Sequence, residues 1–413
     1  MFFNLFKRNR DVFLGLDIGT ECVKVLFFQK KNEKKEGNVA GDKIKILAFA
    51  VEYFDKYGSS EKKELKSILK KTISDVVENA KKKIIFSDFD SELKNKIQKN
   101  KFDVLLTISA DNFRARVILL DFERENLNSK ISEKEEKNIC KKIITEVKTK
   151  VAFDFSKNMG VLPEEINWTS LKIISKKIDG YSVPCFSGYE GKKIEVKALA
   201  VFLPKDYLKK IGAVIKGIGG RIMLLHEAET LPEIFYNKNK DSLFIDIGGD
   251  ISQFFIIENG VLEEINEIKI GSKDFTEIIA KDLGIDEISA RIFKEKYSKN
   301  ALSESAGKKT KEMFFSEKKK WLSELKNKLK ELRKKDVSCF DIYLFGGGSA
   351  LLEFKDVLEE EIRENCEKMS ISSSSEIKFV FPETLDFAEG ILEQDKKNLQ
   401  MTPLLLICNN LTR

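Results

Sequence analysis

The sequence predicts a duplicated, two-domain α/β fold with a small inserted α+β subdomain. Three observations carry this expectation. The stretch Leu243 to Ile257, LFIDIGGDISQFFII, reads as a buried strand ending near Asp246, a glycine turn and a second buried strand. Phe13 to Phe28, FLGLDIGTECVKVLFF, repeats that order around Asp17, Ile18 and Gly19. Between the two copies lies a block of different character, residues 112–200, that reads strand, helix, strand, strand. Two matched hairpins suggest a duplication with a ligand between the halves.

Length and composition agree. A chain of 413 residues exceeds one ordinary core and suits two domains. A hydrophobic content of 42% is that of a globular protein. The 73 Lys+Arg against 67 Asp+Glu leave a net charge of only +6, which argues against nucleic acid as the ligand. Six scattered cysteines with no C-x-x-C pair read as reduced thiols in a cytoplasmic protein. A Ser-His-Asp triad or a His-ligated metal would have to use His226, the only histidine. No apolar run reaches the roughly 18 residues of a membrane-spanning helix, and no signal peptide is expected.

The elements are expected in this order. Residues 1–10, MFFNLFKRNR, read either as an amphipathic foot on an anionic membrane or as a leader packed on the first strand. After the first hairpin, Ile44 to Tyr53 reads as a third strand. Residues 61–83 read as a helix, with Leu65, Ile68, Leu69, Ile73, Val76 and Val77 on one stripe. Val104 to Ile108 is a strand. In the inserted block, strands are expected at 113–120, 168–178 and 193–203 and a helix at 133–150. A helix over 205–218 ends at Gly219-Gly220. After the second hairpin come a strand at 261–270, a helix at 275–283 and a charged helical region at 285–335. A strand at 341–345 leads through Gly346-Gly347-Gly348-Ser349 into a helix at 350–365. Next come a strand at 377–381 and a helix at 385–394. The apolar tail around Leu404 to Ile407 either packs back on the first domain or meets a membrane or partner.

The glycine turns share a chemistry. Turn amides left exposed at a strand end can hold phosphate oxygens. An aspartate there cannot contact phosphate itself, since both are anions, but it can hold a hydrated magnesium ion that does. Two such hairpins facing each other would clasp a nucleotide's phosphates. The plainer reading of each hairpin alone is an ordinary β-turn. Lys24 lies at a strand position from which it faces either the phosphates or solvent.

The ensemble resembles the actin-like ATPase superfamily and, within it, the FtsA-type cell-division and PilM-type pilus assembly proteins. DIGTECVKV (17–25) is similar to the first phosphate loop, DIGGDISQ (246–253) to the second, and GGGSALL (346–352) to the adenosine-binding turn. GGRIMLLHEAETLPEIF (219–235) is similar to the helix connecting the domains. The block at 112–200 stands where this group carries an SHS2-like subdomain, and the run at 258–297 is similar to the group's run after its second phosphate loop. The resemblance implies an actin-like duplicated fold: a first domain at 1–111, an inserted subdomain at 112–203, a second domain at 204–395 with a helical subdomain about 285–335, and a tail at 396–413. It implies ATP and Mg as cofactors. The nucleotide would be held by Asp17, Gly19, Thr20, Lys24, Asp246, Gly248, Gly249, Gly346, Gly347, Gly348 and Ser349, with Asp17 and Asp246 holding Mg through water. It further implies a cytoplasmic scaffold, peripheral at the inner face of the cell membrane, in cell division or type IV pilus assembly. The partners would be a tubulin-like division GTPase or pilus inner-membrane assembly proteins, and the chain's own copies in a polymer. Glu21, Asp250 and Gln253 depart from the group's pattern, and a carboxylate at 250 would repel a terminal phosphate. At most a slow ATPase is therefore expected. The alternative is a phosphotransferase or phosphatase acting on a small molecule. That reaction needs a general base, for which Glu227 and Glu229 on the connecting helix are the candidates. The plainer reading of both is a salt-bridged surface helix.

Overall fold

A computed structural model describes residues 11–31, 43–54, 62–124, 129–235, 241–332, 341–365 and 374–411. The expected membrane foot at 1–10 lies outside them. The first segment runs β1 (Val12–Ile18), β2 (Cys22–Lys31), β3 (Lys43–Tyr53), α1 (Lys62–Ile85), α2 (Ser91–Gln98) and β4 (Asp103–Ile108). Every residue of β1 is buried. Its place explains why: β1 lies inside a six-stranded sheet, antiparallel to β2 and parallel to β4. The apolar stripe of α1 (Ile73, Val76, Val77, Ala80, Ile84) covers this sheet. The short helix α2 is not among the expected elements; Asp90 caps it, its carboxylate accepting from the Leu93 amide at 2.8 Å.

The inserted block forms β5 (Arg114–Glu123), α3 (Glu133–Met159), β6 (Ile166–Ile178), β7 (Tyr181–Ser182) and β8 (Lys193–Pro204), a four-stranded sheet in the order β5-β8-β6-β7. Helix α3 runs nine residues past its expected end, to Gly160 at φ 65°. Its face Ile139, Ile143, Val147 and Val151 closes a core over β6 and β8.

Residues 205–224, expected in the second domain, pack instead with the first sheet, while Phe235 lies against Phe244 and Tyr343 of the second. Helix α4 (Lys205–Ile215) buries Ile211, Val214 and Ile215 in that core. The connecting helix expected at 219–235 does not form. Gly219 lies against Phe102 and Val104, where a Cβ would come within 2.9 Å of either side chain. The chain then extends as β9 (Ile222–Leu224), parallel to β4. A 3-10 turn at Glu227–Glu229 comes next, followed by the one-turn helix α5 (Leu231–Ile234), which carries Pro232 in its first turn.

The second sheet repeats the first hairpin. It holds β10 (Ser242–Ile247), β11 (Ser252–Glu258) and β12 (Val261–Ile268). Helices α6 (Ser272–Leu283), α7 (Glu287–Ser298), α8 (Glu304–Met313) and α9 (Phe315–Leu332) lead to β13 (Asp341–Phe345), α10 (Leu352–Asn365) and β14 (Ile377–Phe379). Strand β10 pairs antiparallel with β11 and parallel with β13, as β1 does with β2 and β4. Both faces of β10 are covered, so its apolar run is continuous. Leu243, Ile245 and Ile247 share a core with Phe275, Trp321 and Phe354, while Phe244 joins the core of the first sheet.

The helix expected at 385–394 is not present. Gly390 adopts φ 75°, and the segment instead adds β15 (Ala388–Glu389) parallel to the edge of β3. Glu389 accepts from Lys31 and Lys43, each at 2.9 Å. The tail forms α11 (Thr402–Cys408), in which all seven residues are buried. It packs on β1, where a Cβ on Gly15 would meet Leu404 at 3.2 Å. Thr402 and Pro403 start this helix well because its first N–H groups have no intrahelical acceptor. No helix among the described residues is long and apolar enough to cross a membrane.

Candidate functional site

The two hairpins end on one cleft. Asp17 pairs across its hairpin with Lys24, and Asp246 across its own with Gln253. The turns close in the same way: the Gly19 amide donates to Cys22 O at 3.0 Å, the Gly248 amide to Ile251 O at 2.9 Å. Side chains have no room there; a Cβ would lie 3.1 Å from Cys22 O at Gly19 and 2.9 Å from Ile251 O at Gly248. The third turn comes in from β13. Gly346, at φ 84°, lets the chain pass against Asp246 and Ile247. Ser349 is buried and its hydroxyl donates to Gly346 O at 2.6 Å, which closes the turn.

The cleft between these turns has a volume of about 520 Å³. Asp17, Gly19, Thr20, Lys24, Asp246, Gly248, Gly249, Gly347, Gly348 and Glu227 line it; the expected site residues Gly346, Ser349 and Glu229 do not. Sequence reasoning missed its other side. Arg291, Lys294, Glu295 and Ser298 recur at helical spacing on one face of α7, a signal that is present in the sequence. Arg291 lies over the Tyr53 ring at 4.1 Å, and Gln400, just before α11, donates to the Tyr53 hydroxyl at 2.7 Å.

The floor is charged and buried. Lys24 is turned inward, and its Nζ lies 2.7 Å from Asp17 Oδ2. Burial opposes its charge, but the surrounding groups, Asp17 first and then Cys22 and Asp246, together outweigh burial and hold the amine above the ordinary lysine range. Burial pushes Asp246 up to about 7, with Lys24 pulling it down and Asp17 pushing it up. Burial, then the charge of Asp246, pushes Glu227 up to about 8. Burial also pushes the Cys22 thiol up to about 12, which makes it unreactive. His226 is lowered to about 4 by burial, and its Nδ1 accepts from the Ala228 amide at 3.1 Å. The neutral ring at 3.5 Å from Glu227 is therefore no ion pair. The expected surface position of Glu227 and Glu229 is thus corrected: both are buried, and Glu229 is salt-bridged to Lys172 at 2.9 Å.

Asp17 is paired with Lys24 and Glu227 is mostly protonated at neutral pH, so the partly ionised Asp246 is the carboxyl of this floor that leaves charge for a cation to offset. Among the described residues, no three His, Cys, Asp or Glu side chains stand close enough to hold a metal by themselves. Such a floor fits a hydrated divalent ion that a phosphate also holds. The expected repulsion by Asp250 is moderated by Lys273, whose Nζ lies 3.6 Å from Oδ1. Among the buried side-chain atoms of residues lining the cleft, Thr20 Oγ1, Gln253 Nε2, and Arg291 Nε and Nη1 make no hydrogen bond within the protein, although Arg291 Nε lies 3.8 Å from Glu295 Oε1. Buried polar atoms are seldom left so, and a bound ligand would satisfy them.

The raised carboxyls give a pH prediction. The folded protein keeps protons on Asp246 and Glu227 that the unfolded chain releases near pH 4, so the native state binds more protons between about pH 4 and 8. Stability contributed by this cluster is therefore expected to fall as pH rises through that window. Urea midpoints at pH 5.5 and 8 check it, with the lower midpoint at pH 8, and the difference is expected to vanish in an Asp246→Asn/Glu227→Gln double variant.

No family model and no curated protein matches the sequence. The solved structures do. One described as the PilM-PilN type IV pilus biogenesis complex aligns at a TM-score of 0.62 and 16% identity, covering 97% of this chain and 98% of that one. The chain has a duplicated actin-like fold. Ethanolamine utilization protein EutJ from Carboxydothermus hydrogenoformans is similar at a TM-score of 0.45 and 12% identity, over 95% of this chain and 88% of that one. In this actin-like fold the cleft lies between the two halves of the duplication.

Proposed function

We propose that the protein is a nucleotide-binding scaffold of type IV pilus assembly, binding ATP or ADP with magnesium in the cleft. The observation that carries the nucleotide is the convergence of three glycine turns and the orphaned Thr20, Gln253 and Arg291 atoms on one cavity. The turn amide at Gly249 would hold phosphates, while the Gly19 and Gly248 amides close their own turns and shape the backbone around it. Lys24 would neutralise phosphate charge, and Arg291 with Tyr53 would face the base. Asp17 and Asp246 would hold magnesium through water. The ion, when bound, would screen the phosphates from these carboxylates and stabilise the ionised form of Asp246.

Hydrolysis would be slow. Glu227 is the candidate base that lines the cleft, and its raised pKa keeps it protonated at neutral pH, when it could not take a proton from water. The likeness to a pilus biogenesis complex favours the pilus role over cell division and over small-molecule phosphotransfer. By the same likeness, the partner would be a pilus assembly protein, engaged peripherally at the cytoplasmic face of the membrane. Calorimetric titration with ATP and with ADP, each with magnesium, tests the reading. One saturable site at micromolar affinity is expected; heats at the level of dilution for both nucleotides would contradict it.

A further inference from the structure

Glu21 stands in the first turn, where the two halves touch. Gly249 of the facing turn is so near that a Cβ on it would lie 2.3 Å from Thr20 Oγ1 and 3.0 Å from Glu21 Cγ. The Glu21 carboxylate crosses to the second half. Its Oε2 accepts from the Ser272 hydroxyl, at the start of α6, at 2.9 Å, and its Oε1 lies 3.6 Å from Lys294 Nζ of α7. Lys294 is itself buried and donates to Ser272 O at 2.7 Å. The Glu21 side chain is 12% exposed, so this contact is largely withdrawn from water. The wall behind it is closely packed: a Cβ on Gly271 would lie 2.1 Å from Gly249 O.

We propose that Glu21 is a built-in anion that latches the cleft closed and makes the site prefer a nucleoside diphosphate to a triphosphate. The proposal rests on the nucleotide reading of the cleft. A phosphate held by both glycine turns has to sit between them, and the Glu21 side chain fills that gap. A third phosphate there would meet a carboxylate at hydrogen-bond range in a poorly solvated site, where like charges repel strongly. It would also compete with Glu21 for Lys294. A diphosphate ends one group short and leaves the latch made. Triphosphate binding therefore carries the cost of expelling Glu21, and diphosphate binding does not.

The test uses the full chain, Glu21→Ser and Glu21→Gln, titrated with ADP and with ATP in the presence of magnesium. The wild type is expected to bind ADP about tenfold or more tighter than ATP, the factor that about one pKa unit of differential charge interaction represents. Glu21→Ser should close most of that gap, chiefly by tightening ATP. Glu21→Gln, which keeps the volume and loses the charge, should fall between. In the absence of nucleotide, amide exchange over 248–253 and 271–274 should be faster in Glu21→Ser than in the wild type. Equal affinities in the wild type, an ADP/ATP ratio that Glu21→Ser leaves unchanged, or unchanged exchange would overturn the proposal. Binding of neither nucleotide by any of the three proteins would instead sink the nucleotide reading, and this preference with it.

Discussion

Gly346→Ala is expected to destabilise the protein by about 2–6 kcal/mol. Two costs add. The residue adopts φ 84°, a conformation that non-glycine residues hold only with strain of about 1–3 kcal/mol. A Cβ there would also stand 2.0 Å from Asp246 Oδ1, 2.8 Å from Ile247 O and 3.0 Å from Ile247 N. The carboxylate can rotate away, but the Ile247 backbone is held in β10 by its neighbours β11 and β13. Overpacking against such a wall costs about 1–3 kcal/mol more. Chemical denaturation reads the loss, and a change below about 1 kcal/mol would contradict the geometry. Rotation of Asp246 would also move it off the cleft floor, so nucleotide affinity is expected to fall even where the variant stays folded.

Lys24→Met is expected to cost about 3–5 kcal/mol, the range for removing one partner of a buried ion pair. Methionine restores most of the apolar stem, so the loss is chiefly electrostatic. Asp17 would be left buried without its counter-charge, beside Asp246 and Glu227. The penalty should be larger at pH 8 than at pH 5.5. At pH 8 Asp246 is ionised and Glu227 is half ionised, since their pKa values are raised to about 7 and about 8. A penalty independent of pH would show that Lys24 does not serve this cluster.

Much of the architecture could be read from the sequence, because local patterns report what lies on both sides of an element. The runs FLGLDI and LFIDIG are apolar at consecutive positions, and both strands prove to be covered on both faces. The matched Asp-x-Gly turns could be read for the same reason: the glycines are there to let backbone approach backbone. The misreadings share a physical cause. Residues 219–235 show helical spacing at Ile222, Leu225, Ala228 and Leu231, yet Gly219 needs to touch Phe102, distant in sequence, and β4 offers an edge that draws Ile222–Leu224 into the sheet. Residues 385–394 likewise look helical, yet β3 offers an edge with Lys31 and Lys43 beside it that takes up Glu389. Tertiary pairing overrides a weak local preference in both.

The site divides in the same way. Residues fixed by their own turn, such as Gly19, Gly248 and Gly347, are evident from the sequence. Tyr53, Gln400 and the α7 pair Arg291 and Lys294 come from three segments distant in sequence and meet only in the folded chain. The burial of Glu227 is hidden too, because a glutamate between two apolar runs reads as surface until the 3-10 turn at Glu227–Glu229 brings it near Asp246.

The central claim is that the buried charge at the meeting of the hairpins receives a nucleotide's phosphates. The measurement that bears on it most directly is calorimetric titration of ADP with magnesium into the wild type and into Lys24→Met at pH 6, where the variant's loss of stability is expected to be smaller than at pH 8. Lys24 is the ammonium on the cleft floor that pairs with Asp17, and a lost charge-assisted contact to an anion in such a site is worth about 1.5–3 kcal/mol. A loss of affinity of about tenfold or more is therefore predicted. The same affinity in both folded proteins would place the nucleotide, if it binds, away from the hairpins and contradict the account.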